Sequence, residues 1–344
     1  MKIINPIVSI RLAKMSLICA VMVVGLHVGR CAGTAGDIFS QVFVRGLFPI
    51  AVPFFFLASG YLLAKNVEDS GWYEMVLLKR LKTVFVPMVL VGVIFAIFEI
   101  CLTVCANLIA GREWYANFYQ GWEWLRVVGI YPFDFPGMRA LWFLRTLLIC
   151  VLISPIIVWA VRRMSIAYLV VIFIASAHAE TMIKAYTPSW HLFCTIFSLR
   201  AIFWFSIGIY LMIVPNKFRL SPNTCKLLGA LGLAMPLLIC DLFGIGGGAG
   251  RIMRYFAVPF IMIGVWTLLS DRKWDIRITS LSFPIYLIHM FFIDVANCAG
   301  LKGDDLSFSL LLAKYAIAVL GAAAVAMLVR RFLPNFARIV FGGR

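Results

Sequence analysis

The chain has 344 residues, 63% of them apolar and only 13% charged, with a mean hydropathy of +0.99 and a formal net charge of +16. A water-soluble globular domain does not carry that balance, and apolar runs that are continuous rather than alternating exclude a membrane β-barrel. The surplus of Lys and Arg is distributed loop by loop, so the expected partner is the lipid bilayer and not nucleic acid.

Segments of roughly 20 apolar residues predict an all-α, polytopic transmembrane helix bundle over 1–344, a single domain. About ten helices are expected, over 10–31, 46–65, 83–107, 141–161, 165–183, 195–214, 224–243, 252–270, 281–299 and 308–329. The first has Lys2, Arg11 and Lys14 ahead of it as a signal peptide would, but Arg30 stands where a cleavage site needs a small residue, so the span is expected to be retained. Nineteen of the 31 Lys and Arg fall on the loop set that includes both chain ends, which predicts cytoplasmic termini. The connection 108–140, with "REWYANFYQGWEWLRVVGIYPFDFPG", is rich in Trp and Tyr and is expected to lie along the headgroups or over a site. The nine cysteines lie mostly inside apolar runs without metal-ligand or C-x-x-C spacing, so no metal site is expected.

The ionisable groups inside these spans are the candidates for function. His289 lies eight residues into its span, which places it ~12 Å deep, and Tyr286 is one turn before it on the same face. An imidazole at that depth either faces a wet cavity as a functional group or holds helices together through a carbonyl or tyrosine. His27 and Arg30 near the end of the first span, Arg145 in "LWFLRTLL" and Arg200 in "RAIFWFSIGIYL" lie at the outer ends of theirs. Each can reach water by snorkelling, or together they can line a cationic cavity that opens outward. His178 and His191 are expected in a solvated connection. In "AVPFFFLASGYLLAK", Pro53 allows a kink, and Ser59 with Gly60 allows a neighbouring helix to come close. "LLKRLKTVFVP" puts Lys79, Arg80 and Lys82 ahead of the third span, where they serve topology by default.

These stretches, taken in order, resemble the acyltransferase 3 family of integral membrane O-acyltransferases. The resemblance rests on His27, "VPFFFLASGYLL", "KRLKTVFVP", "LWFLRTLLICVLISPII", "RAIFWFSIGIYL" and "SFPIYLIHMFF". It implies acyl transfer, commonly of acetyl, from cytoplasmic acetyl-CoA or another acyl-CoA to a hydroxyl of an envelope glycan or related acceptor, in the bacterial cytoplasmic (inner) membrane. It also implies an essential first-helix histidine, here His27, with an arginine eleven residues earlier. That position is Ser16 in this chain, and Arg11 and Lys14 lie ~140–160° away around the helix.

Acyl transfer needs a base, an oxyanion partner and a place for phosphates. Neutral imidazole, with an unperturbed pKa of ~6.5, makes His27 the expected general base. Arg145 and Tyr286 are expected to stabilise the oxyanion or position substrate, with His289 orienting or carrying a second proton. Lys79, Arg80 and Lys82 are expected to meet the CoA phosphates. The rival readings are a transporter or flippase of an anionic or glycan substrate, and a receptor or scaffold. No internal repeat is visible in support of a transporter, and Glu99 and Asp294 are the clear acidic residues inside spans. Oligomeric state stays open.

Overall fold

The computed structural model describes residues 4–29, 31, 33–109, 139–182, 198–214, 220–242, 247–302 and 306–343. Among them there is no strand, and all regular structure is helical. Helix α1 (Pro6–His27) starts where a sequence reading places a start. Asn5 accepts from the backbone N–H of Ile7 at 2.9 Å, and Pro6 occupies the first position, where a missing N–H costs nothing.

Helix α2 (Thr34–Ala64) runs through a π-helical segment, Ser40–Leu47, and a 3₁₀ turn, Phe48–Ile50. The expected span 46–65 is therefore only its second half, because the wider π turns shift the apolar face and dilute the 3.6-residue period. Helix α3 (Trp72–Leu108) likewise crosses a π segment, Leu81–Phe85. Lys79, Arg80 and Lys82 thus belong to the helix and not to a loop ahead of it. Where one span 141–161 was expected, α4 (Trp142–Leu152) and α5 (Ser154–Met164) meet at Ile153 with a bend of 61°. Pro155 lacks the N–H that would continue the ladder, and its ring excludes the carbonyl four residues back.

The chain continues as α6 (Ile166–Met182), α7 (Leu199–Ile213), α8 (Pro222–Leu242), α9 (Gly247–Leu268), the short α10 (Ile276–Thr279), α11 (Ser282–Cys298), α12 (Phe308–Phe332) and α13 (Pro334–Val340). His178, expected in a connection, is exposed within the last part of α6. His191, Arg30 and the aromatic segment 110–138 lie outside the described residues. A helix stands at each of the ten expected places. Among the described residues, four of these helices, α1, α2, α3 and α12, are long and apolar enough to cross a bilayer, and α4–α5 makes a fifth if the bent pair is one span.

The first part of α1 and the last part of α12 lie at one end of the bundle, against the segment 270–280. Arg11 pairs with Asp271 at 2.7 Å. Lys14, 1% exposed, donates to the carbonyl and hydroxyl of Ser270, each at 2.8 Å, and sits 4.9 Å over the Trp274 ring. From the C-terminal side, Arg330 donates to Ser280 Oγ at 2.7 Å and to its carbonyl at 3.0 Å, while Gly342 closes on the backbone of Thr83 with φ +65°. The opposite, far end is closed by Val28, Cys31, Leu306 and Leu311.

Between these ends α11 packs on α1 and α12, α1 on α2, and α2 on α7. The α2–α7 crossing is a backbone contact: a Cβ at Gly60 would meet the carbonyl of Phe205, and one at Gly208 the carbonyl of Leu57. Small residues are what lets helices approach this closely in lipid, as the Ser59–Gly60 pair implies.

Candidate active site

The centre of the site is a pair of imidazoles. His27 ends α1 and His289 lies midway along α11, and their ring centroids are 5.3 Å apart at 42°. His289 is fully buried; its Nδ1 lies 2.7 Å from the carbonyl of Tyr286 and 3.2 Å from that of Ile285. A carbonyl only accepts, so Nδ1 carries the proton. Nε2 then holds a lone pair, and it is buried with no hydrogen-bond partner among the described residues.

Tyr286, one turn before His289, donates its hydroxyl proton to the carbonyl of Ala140, in the 3₁₀ turn Arg139–Leu141 that leads into α4. Its proton is thereby committed to tying α11 to α4. The ring faces Phe143 at 5.5 Å and Phe283 at 6.4 Å.

Below this layer, toward the end with the termini, lies a cavity of about 230 Å³. Its polar wall is Ser16 of α1, Ser59 of α2, Arg80 of α3, and Ser282 and Tyr286 of α11; Phe55, Phe143 and Leu147 are among its apolar liners. Among the described residues, Arg80 is the only charged liner. The α1 position at which the family resemblance expects an arginine, Ser16, and the guanidinium of Arg80 thus face one space. Lys79 and Lys82 are exposed and do not line it.

Arg145 is half-buried in α4, but Phe143, Leu144 and Leu147 are the cavity side of that helix. At ~100° per residue, Arg145 leaves the helix roughly 150° away from the middle of that face. Arg145 is therefore not among the described residues that line this cavity. Conversely, Ser16 and Ser59 received no role from the sequence, since a serine inside an apolar run carries no signal of its own until its neighbours are known.

A family profile described as "Acyltransferase domain" matches residues 15–331, nearly the whole chain. The chain belongs to the acyltransferase 3 family. Comparison with curated proteins and with solved structures gives no match. The matched region includes His27, Arg80, Arg145, Tyr286 and His289, so the paired histidines and the cavity below them lie within the acyltransferase domain.

Proposed function

We propose that this acyltransferase moves an acyl group, acetyl in the simplest case, from a cytoplasmic acyl-CoA to a hydroxyl of a cell-envelope glycan, in the inner membrane of a bacterium. In this reading the chain crosses the bilayer about ten times, and the end with the termini is cytoplasmic. The Lys and Arg surplus at that end supports the orientation.

The observation that carries the reading is the buried Nε2 lone pair of His289 beside His27, directly above a cavity with one guanidinium. The cavity is too small for a whole CoA and suits its thioester end, with Arg80 meeting a phosphate or the thioester oxygen. The exposed Lys79 and Lys82 on the same helix meet the remaining phosphates. The acceptor oxygen attacks the thioester carbonyl carbon while its proton passes to His27, with His289 Nε2 as the second station. Collapse of the tetrahedral intermediate breaks the carbon–sulfur bond, and the proton returns to the departing CoA sulfur. Arg80 takes the place of the first-helix arginine that this chain lacks. Arg145 acts on the rim or as an anchor in the headgroups.

Purified protein in vesicles, given acetyl-labelled acetyl-CoA and envelope polysaccharide, should release CoA and label the glycan. His27→Ala and His289→Ala should each lower the rate by ~10²–10⁴-fold. Substrate uptake into vesicles without covalent change would instead identify a transporter.

A further inference from the structure

Among the described residues, four hydroxyls line the cavity below the histidines: Ser16, Ser59, Ser282 and Tyr286. Their protons are not equally available. Ser16 Oγ donates to the carbonyl of Leu12 at 2.8 Å, one turn back in its own helix, and the Tyr286 hydroxyl donates to the carbonyl of Ala140. Ser59 and Ser282 make no hydrogen bond among the described residues, so each keeps an O–H to give to whatever enters.

These two hydroxyls stand at one level on different walls. Phe55, one turn before Ser59 on the same face of α2, meets Tyr286 with ring centroids 6.3 Å apart, and Ser282 is one turn before Tyr286 in α11. The two helices run in opposite directions, so four residues forward along α2 and four back along α11 both lead ~6 Å from the rings toward the end with the termini. Both positions are held by their neighbours. Gly60, next to Ser59, abuts the carbonyl of Phe205, and Ser280, two residues before Ser282, accepts from Arg330. Leu281, the N-cap of α11, makes no side-chain cap bond, so the positive end of that helix adds to the donor of Ser282.

A second hollow, also of about 230 Å³ and lined in part by Phe56 and Arg200, lies on the other side of the ring pair Phe56–Phe143, whose centroids are 4.7 Å apart. A nucleophile coming from that side needs a thioester carbonyl held in a fixed orientation below the rings. We propose that Ser59 and Ser282 form the oxyanion hole of the transfer, both donating to the carbonyl oxygen of the acyl thioester, while Arg80 serves the phosphate side of the donor. The inference rests on the acyl-transfer reading above and gives these serines the task that the sequence suggested for Arg145 and Tyr286. As the acceptor oxygen bonds to the carbonyl carbon, the C=O electron pair moves onto the oxygen, where donors already in place stabilise it. Return of that pair expels the CoA thiolate, which takes the acceptor's proton; neither serine gains or loses one.

The test uses the full chain in nanodiscs and compares binding of acetyl-CoA with that of S-ethyl-CoA, a thioether without the carbonyl oxygen. The native chain should bind acetyl-CoA about 10-fold more tightly, the size of one or two neutral hydrogen bonds. Ser59→Ala and Ser282→Ala should each narrow that ratio, and the double variant should bring it to one. In turnover, each single variant should lower kcat by ~10–10²-fold with KM for acetyl-CoA little changed, and Ser59→Thr, which keeps a hydroxyl, should recover part of the rate. Thermal unfolding checks that each variant is folded, and Ser309→Ala, at an exposed position of α12, should behave as the native chain does. Equal binding of the two CoA compounds by the native chain, an undiminished ratio in the folded double variant, or a raised KM at native kcat would overturn the proposal. Carbonyl recognition that depends on both serines, in a protein that neither transfers acetyl nor releases CoA, would sink the enzyme reading and keep the thioester site. Acetyl transfer indifferent to both serines would sink this inference alone.

Discussion

At His289, a titratable ring in hydrocarbon is accommodated because its one proton is used within its own helix. Nδ1–H satisfies the carbonyls of Tyr286 and Ile285, so no counter-ion is required, and the remaining nitrogen is left open. A structural histidine and a catalytic one make the same Nδ1 bond but differ at Nε2. His289→Gln keeps polarity without taking up a proton. It should lower acetyl transfer by ~10²-fold or more while leaving the melting temperature near the native value; a full rate would make the ring a packing element. The three cations expected to meet CoA separate in the same way. Arg80→Ala should raise the KM for acetyl-CoA by roughly 10–100-fold, the worth of a charge-assisted bond, whereas exposed Lys79→Ala and Lys82→Ala should each change it far less. Equal effects of all three would mean that the Arg80 cavity does not receive the donor. His27, His289 and Tyr286 were legible in the sequence as ionisable or hydroxyl groups inside apolar spans, whereas Arg80 was read only with Lys79 and Lys82, as topogenic charge or a partner for CoA phosphates. Ser16 was not, because its place on the same cavity as Arg80 is set by how the helices assemble and leaves no local trace.

Among the elements, the apolar runs located a helix at each of the ten expected places but not their interruptions, and they missed α10, α13 and the first half of α2. Pro155 announces the break between α4 and α5, yet a hydropathy window averages across it and reads one straight span. The two π segments leave still less trace, since an extra residue in a turn is stabilised by what packs against it and not by residue type. The crossing of α2 and α7 was readable in part: Ser59 and Gly60 indicate a close partner but do not say which. Gly208 completes the contact from α7, and the two carbonyls that a Cβ would strike, on Phe205 and Leu57, are backbone and cannot rotate away. Gly60→Ala and Gly208→Ala should each destabilise the protein by about 1–3 kcal/mol, read as a lower denaturant midpoint in micelles. Unchanged midpoints would show that the helices have room to separate.

Over the whole molecule, the charge pattern predicts the orientation of the ends, and the fold adds two compartments. Arg11, Lys14 and Arg330 do not stay in solvent as topogenic charges; they fasten α1 and α12 to the segment 270–280 and close the bundle where the termini lie. The hollows of Arg80 and Arg200 are then divided by Phe56 and Phe143, with the histidine pair alongside. Such a partition has a chemical consequence. In the proposed reaction, a thioester held below the histidines would react with whatever oxygen reaches it, and water is always the more abundant nucleophile, so the proposal requires that the route from the far end stay dry until an acceptor hydroxyl fills it. Phe143→Leu keeps the site apolar while removing the ring that meets Phe56. It should raise the release of CoA from acetyl-CoA in the absence of any glycan, relative to transfer in its presence. The measurement is thiol release against glycan labelling in the same vesicles. A ratio equal to that of the native protein would mean that water is excluded elsewhere and that the two hollows do not communicate through this pair of rings.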